Sequence, residues 1–270
     1  MTTSPEAAFF AALRPLFGGK LSKSQVDGVN VILAGIERYD LGEPAAAYIL
    51  ATTFHETAHT MQPVKETQFG ATVPTDAVVK ARLTKAWKAG KLPQVKKDYW
   101  SGGYFGRGYV QLTHAANYDK AAKALGIELG SNPDLALKPD VAVQILIKGM
   151  LEGWFTGKKL GDYITGTAFD FKNARRVVNG TESAEKIKGY AEAFLAAIRA
   201  GQAADKATRQ PAPVPVPPKP QTPAGGAPIE PHEEPIAPPP ESKPSGALVI
   251  IGMIVVAAIL VAVVYFTGAN

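Results

Sequence analysis

An apolar run near the C-terminus divides this chain of 270 residues into parts that must fold by different rules. The stretch from Ala247 to Phe266 is uninterrupted in its apolar character, and about 20 such residues are what a helix needs to cross ~30 Å of hydrocarbon. No charged residue occurs between Pro244 and Asn270, which favours a bilayer-spanning helix over a buried helix of a soluble core. We therefore predict a C-terminal transmembrane helix over residues 246–267.

A proline-rich segment precedes this helix, and we predict it to be a disordered spacer over residues 204–245. Its densest part runs from Arg209 to Pro244. Such a composition cannot bury a core and favours extended polyproline II, at ~3.1 Å per residue. The remaining residues, 1–203, are enough for one domain that buries its own core.

Charge and cysteine content restrict the chemistry of this domain. The chain has no cysteine, which excludes disulfides and thiolate catalysis. Residues 1–200 contain 25 Lys and Arg against 19 Asp and Glu, a net charge of +6. A net positive charge favours an anionic partner, although a solubilising surface explains the charge equally well.

The pattern of caps and apolar spacings predicts a mainly helical domain. Ser4 and Pro5 begin the first helix, which we expect to reach Phe17, and Ser22 with Gln25 forms a capping box before the second. The further helices are predicted at 44–60, 76–89, 114–125, 140–155, 170–178 and 182–199, with Pro63 ending the first of these and Gly201 the last. Residues 100–112, rich in glycine and tyrosine, predict short strands or an irregular hairpin.

Two glutamates ten residues apart are the candidate catalytic groups. Glu56 lies on the mostly apolar third helix, where partial desolvation should raise its pKa and keep it protonated as a general acid. Glu66 follows Pro63 on a polar loop beside Lys65, where solvent and a cation should favour the ionised form of a general base. Two carboxyls in different environments are the minimum needed to hydrolyse a glycosidic bond.

One competing interpretation uses the same glutamate. His55, Glu56 and His59 match H-E-x-x-H, in which two histidines on one helical face bind zinc and the glutamate acts as a base. The longer metzincin pattern is absent, because Gln62 and Lys65 stand at its glycine and histidine positions. A zinc metallopeptidase is kept as an alternative.

Three sequence segments resemble a known family. The run YFGRGYVQLTHAANY at 104–118, together with FHETAHT upstream and VVNG at 177–180, is similar to the glycoside hydrolase family 19 chitinases. It is more similar still to their bacteriophage relatives, the endolysins that cut peptidoglycan. The resemblance covers about Ser22 to Arg199 and implies an α+β, lysozyme-like fold.

The resemblance also implies a set of site residues and an inverting reaction without metal or cofactor. Glu56 would be the general acid, Glu66 the general base, and Thr113 the residue that holds the attacking water. The residues implied to bind the sugar or shape the cleft are Tyr104, Arg107, Gln111, Asn117 and Asn179.

We therefore predict a membrane-anchored lysozyme of the muramidase type, encoded by a phage and acting in lysis or entry. Its expected partners are the glycan strands of peptidoglycan and, through the C-terminal helix, the internal membrane of a virion or the host cell membrane; no nucleic acid is expected. A chitinase is the first alternative. A zinc peptidase and a glycan-binding module without activity are the others.

Overall fold

The computed structural model describes residues 4–93 and 95–209, and this part of the chain is mainly helical. Its α-helices are α1 Pro5–Leu13, α2 Lys23–Glu37, α3 Glu43–Glu56, α4 Asp76–Lys88, α5 Ala115–Leu125, α6 Pro139–Glu152 and α7 Ala184–Arg209. Short 3₁₀ helices lie at Arg14–Phe17, Pro133–Leu137, Leu160–Asp162 and Asn173–Val177. The strands are β1 Val64–Lys65, β2 Arg107–Gly108, β3 Ile164–Thr165 and β4 Ala168–Phe169.

Both sheets are two-stranded and antiparallel. In the first, Val64 lies opposite Gly108 and Lys65 opposite Arg107; in the second, β3 pairs with β4. The predicted irregular hairpin at 100–112 is present as an antiparallel bridge between Arg107 and Leu112. Its strand β2 also pairs with β1, some 40 residues earlier, and this pairing places the loop after β1 against β2.

The predicted helix starts are confirmed by their caps. The Ser4 side chain accepts a hydrogen bond from the backbone N–H of Ala7, and Ser22 and Gln25 form the complete capping box of α2. Each such cap satisfies backbone donors that the first helical turn leaves without a partner.

Helix α3 lies at the centre of the core. Tyr48, Ile49, Leu50 and Phe54 are fully buried, and α3 packs against α7, which also covers α1. Full burial of an aliphatic or aromatic side chain contributes about 1.5–3 kcal/mol. A second apolar cluster, formed by Val79 and Leu83 of α4 with Trp100 and Phe105, fixes the segment before β2.

Three predicted helix limits are wrong. Helix α3 ends at Glu56 instead of Thr60, because the following loop, with Gln62 and the carbonyl of His59, is hydrogen-bonded to α2. The segment 170–178 forms only the 3₁₀ helix 173–177. Gly201 does not stop α7, since its bare backbone packs closely against α1, where an added Cβ would lie 3.2 Å from the carbonyl oxygen of Pro5.

Helix α7 continues to Arg209, so the first residues of the predicted spacer are helical. Within the ranges 4–93 and 95–209, no helix combines the length and the apolar character that a bilayer crossing requires. The predicted transmembrane segment at 246–267 and the spacer beyond Arg209 lie outside the described residues.

Candidate active site

The last residue of α3 is a buried glutamate held by a buried arginine. Glu56 is 7% exposed and Arg175 is 3% exposed, and Nη1 of Arg175 donates to Oε1 of Glu56 at 2.5 Å. Arg175 comes from the 3₁₀ helix 173–177, and its Nε also donates to the carbonyl oxygen of Glu182 at 3.1 Å. The fold thus joins two segments 119 residues apart in sequence.

Burial raises the pKa of Glu56, and the positive charge and hydrogen bond of Arg175 oppose that rise. The position at the C-terminal end of a helix disfavours the ionised carboxylate in the same direction as burial. The expected direction for a general acid is therefore present. The sequence analysis did not identify Arg175, although it lies two residues before the VVNG segment.

The environment predicted for Glu66 is wrong. Its carboxyl is half-buried and accepts two hydrogen bonds, one on Oε1 from the hydroxyl of Tyr99 at 2.6 Å and one on Oε2 from the backbone N–H of Gly106 at 2.8 Å. Burial raises its pKa, and these two donors lower it. Lys65 is not its counterion, because its Nζ bonds Asp76 at 2.7 Å and Asp134 at 2.8 Å.

Arg107 is part of that same ion network and is not open to a ligand. Its guanidinium is 1% exposed and bonds Asp76 at 2.9 Å and Asp134 at 2.7 Å. It also donates to the carbonyl of Gly103 at 2.7 Å and lies 3.9 Å over the ring of Phe105. In the structure Arg107 ties β2 to the start of α4 and to the 3₁₀ helix 133–137, and its implied role in binding sugar or shaping the cleft stays a prediction.

Gln111 and Thr113 lie in the turn that follows β2. Gln111 has a positive φ of 51°, and its Nε2 donates to the carbonyl of Val64 on β1 at 3.0 Å. The hydroxyl of Thr113 donates to the carbonyl of Gln111 at 2.6 Å. A Cβ on Gly106 would meet Oε1 of Gln111 at 2.6 Å, so any side chain at this position would displace the Gln111 amide.

Asn117 and Tyr104 extend this arrangement. Nδ2 of Asn117 donates to the carbonyl of Thr113 at 2.9 Å, and the Tyr104 hydroxyl donates to the carbonyl of Gly130 at 3.1 Å. Both side chains are half-buried. Hydrogen bonds on either side of β2 thus hold Glu66 through Gly106, which precedes the strand, and Asn117 through Thr113, which follows it.

Asn179 lies next to Arg175, the residue that bonds the other glutamate, Glu56. It is exposed, and its backbone N–H donates to the carbonyl of Arg175 at 3.0 Å. Among the described residues, Glu56 and Glu66 share no hydrogen-bond partner. Each carboxyl is thus fixed by its own set of donors.

The helical geometry on which the zinc alternative depends is absent. Because α3 ends at Glu56, His59 lies on the next loop with a φ of 65° instead of one turn along the same helix. Its ring stacks on Phe54 with centroids 3.9 Å apart. The part of the chain that the structure describes contains no cluster of three or more His, Asp or Glu suited to a metal.

Residues 43–162 match the family described as class I chitinase, glycoside hydrolase family 19. Over this range the chain is similar to that family. The matched range contains both glutamates, whereas Asn179 and Arg175 lie beyond it. This similarity supports the predicted class of enzyme, a glycosidase.

Individual relatives align over short stretches. Acidic endochitinase Q of Nicotiana tabacum is 43% identical over 61 residues, 23% of this chain and 22% of the relative. The acidic 26 kDa endochitinase of Solanum lycopersicum is 41% identical over 63 residues, 23% of each. Chitinase 11 of Oryza sativa subsp. japonica is 35% identical over 100 residues, 32% of this chain and 38% of the relative. The chain spans less than two fifths of these curated relatives.

Two solved structures are also similar. Chitinase C from Streptomyces griseus HUT6037 is 22% identical with a TM-score of 0.46, over 71% of this chain and 75% of that one. A bacterial family 19 chitinase is 22% identical with a TM-score of 0.43, over 69% of this chain and 92% of that one.

Proposed function

We propose that the domain hydrolyses β-1,4 glycosidic bonds in a polymer of N-acetylated amino sugars, with inversion at the anomeric carbon. The observation that carries this proposal is the buried Glu56–Arg175 pair, whose glutamate lies with Glu66 in the range similar to family 19 chitinases. Inversion requires the two carboxyls to be roughly 6.5–9.5 Å apart, so that a water fits between the base and the sugar.

Glu56 is proposed as the general acid. Its Oε1 accepts from Arg175, which leaves Oε2 to carry the proton and to donate it to the glycosidic oxygen. When that proton leaves, the new carboxylate is stabilised by the neighbouring guanidinium. A stabilisation that grows as charge develops is the kind that lowers the barrier.

Glu66 is proposed as the general base. The hydroxyl of Tyr99 and the N–H of Gly106 bind the ionised form and fix its orientation. The hydroxyl of Thr113 already donates to Gln111, so it offers lone pairs and would accept one O–H of the attacking water. The second O–H would point to Glu66 and the water's lone pair to the anomeric carbon.

Two substrates fit this chemistry. The named relatives are endochitinases and chitinases, which favours chitin over the peptidoglycan first predicted from the sequence. Peptidoglycan stays a second candidate because residues 1–200 carry an excess of six positive charges, which suits an acidic polymer. That the enzyme is encoded by a phage stays a prediction.

The test is hydrolysis of chito-oligosaccharides and of purified peptidoglycan by the full-length chain. Glu56→Gln and Glu66→Gln are each expected to lower kcat by at least about a hundredfold, the lower range for loss of a general acid or base. Glu37→Gln, an exposed glutamate of α2, is the matched control and should keep the parent rate.

The first product observed by NMR should be the α-anomer. An initial β-anomer, or full activity of Glu56→Gln, would refute the proposal. Binding of either polymer without cleavage would favour a glycan-binding module instead, and loss of cleavage in EDTA would favour the zinc peptidase only if peptide bonds are cut.

We also propose that residues 246–267 tether the enzyme to a membrane, as a single C-terminal helix. The full-length chain should sediment with membranes and resist extraction by alkaline carbonate, whereas a chain lacking 246–267 should stay in the supernatant. Release of the full-length chain from membranes by alkaline carbonate would contradict the tether.

A further inference from the structure

A cavity lies between the 3₁₀ helix 173–177 and the start of α7, and we call it the 172–186 pocket. Its volume is about 440 Å³, within the roughly 300–1,000 Å³ typical of small-molecule sites. The lining residues that matter here are Lys172, Arg176, Thr181, Ser183, Glu185 and Lys186.

The charge of this pocket is positive and only partly neutralised. Its one acidic residue, Glu185, is bonded by Lys172. Arg176 makes a hydrogen bond of 3.4 Å to Asn173, and Lys186 lies 5.9 Å over the ring of Tyr190. Within residues 4–93 and 95–209, no carboxylate forms an ion pair with Arg176 or Lys186. The pocket therefore offers cations to an incoming anion.

The pocket adjoins the proposed general acid. Arg176 directly follows Arg175, which bonds Glu56. Thr181 and Ser183 flank Glu182, whose carbonyl accepts from the same Arg175. The proposed acid and the pocket are thus held by the same short segment, 175–183.

The same cations act on the end of α3. The pKa of His55 is lowered to about 3, chiefly by burial and also by the charges of Arg175 and Lys186. His55 is therefore neutral near pH 7 and adds no positive charge, so the attraction for an anion comes from the lysine and arginine side chains.

We infer that the 172–186 pocket binds the carboxylate of an acidic glycan, such as the free lactyl carboxylate of a muramic acid residue that carries no peptide and lies next to the cleaved bond. Arg176 and Lys186 supply charge-assisted hydrogen bonds, and Thr181 and Ser183 supply neutral ones. Chitin has no group of this kind. The inference rests on the proposed glycosidase function and assigns its preference to acidic strands, against the substrate that the named relatives favour.

The experiment compares two disaccharides that differ in one carboxylate-bearing group. Binding of N-acetylglucosaminyl-N-acetylmuramic acid and of chitobiose to the full-length chain is measured by calorimetry. The acidic disaccharide should bind about tenfold more tightly, as one charge-assisted hydrogen bond allows. The double variant Arg176→Gln/Lys186→Gln should lose this preference, while Arg176→Lys alone should keep most of it.

A matched control removes two charges elsewhere. Lys80→Gln/Lys88→Gln lowers the charge of α4 by the same amount, and it should keep the preference. Equal loss in both double variants would mean that net charge alone attracts the ligand and would overturn the inference. Equal affinity of the parent for both disaccharides, or competition by millimolar inorganic phosphate as strong as by the acidic disaccharide, would also overturn it.

Failure of the proposed function looks different. A parent chain that cleaves neither chito-oligosaccharides nor peptidoglycan refutes the glycosidase and the inference with it. A parent that cleaves both polymers but binds the two disaccharides equally refutes the pocket alone.

Discussion

Removing the hydroxyl of Tyr99 should move one limb of the pH profile and leave the other in place. The hydroxyl donates to Oε1 of Glu66 at 2.6 Å and lowers the pKa that burial raises. A base must be ionised, so activity increases as the pH rises through the pKa of Glu66. In Tyr99→Phe the ionised form loses a donor, its pKa rises, and the acidic limb moves to higher pH.

The size of the movement follows from the hydrogen bond. A bond to a charged group contributes about 1.5–3 kcal/mol, and 1.36 kcal/mol corresponds to one pKa unit, so the limb should move by about 1–2 pH units. The ring of Phe can keep the edge contacts that Tyr99 makes with Trp100 and His114, at centroid distances of 5.0 and 5.1 Å. The melting temperature should therefore change little.

The assay is kcat/KM for a chito-oligosaccharide between pH 4 and 9. Tyr39→Phe removes a hydroxyl far from Glu66 in sequence and serves as the control, with both limbs expected at the parent positions. An acidic limb of Tyr99→Phe that stays within about 0.3 pH unit of the parent would refute Glu66 as the base, because that movement corresponds to less than ~0.5 kcal/mol.

Three further results are expected. Arg175→Met should lower kcat about a hundredfold or more, as for loss of a donor to developing charge. It should also move the alkaline limb of the pH profile to higher pH, because the pKa of Glu56 rises without the guanidinium. An alkaline limb at the parent pH would contradict this. Glu56 and Glu66 have raised pKa values in the fold, so their contribution to stability is complete below their unfolded pKa of about 4.3 and is lost as the pH rises through their folded pKa. The free energy of unfolding in urea should therefore fall less steeply above about pH 4.3 in Glu66→Gln than in the parent. An equal fall would show that Glu66 does not contribute. Gly28→Ala puts a Cβ 1.8 Å from a backbone carbonyl oxygen of the loop after α3, which should destabilise the fold by about 1–3 kcal/mol or more. In the control Gly189→Ala the Cβ meets no atom within 4 Å, and this change should stabilise α7 by about 0.5–1 kcal/mol. Equal melting temperatures of the two variants would contradict the clash.

The sequence predicts well those features that depend on residues close together along the chain. The serine caps of α1 and α2 depend on side chains three residues from the groups they satisfy, and spacing alone identifies them. The raised pKa of Glu56 was predictable for a similar reason, because the apolar composition of α3 already implies burial.

What the sequence does not predict depends on distant partners. Lys65 is adjacent to Glu66, yet its ammonium is held by Asp76 and Asp134, so adjacency gave the wrong electrostatic environment. Arg175 reaches Glu56 across 119 residues, and no periodic pattern marks that contact. The positive φ values that end α3 at 58–61 arise from packing against α2 and not from glycine or proline.

The close approach of Gly201 to the carbonyl of Pro5 has a practical consequence for engineering. The beginning of α1 and the last third of α7 meet on one side of the molecule, so a short linker from residue 209 back to residue 4 should be tolerated, as is common where termini are close. New ends could then be opened in an exposed turn such as the one at Gly90. In such a circular permutant the domain would no longer be attached to the segment that follows residue 209. The domain could then be attached to a carrier in either of two orientations.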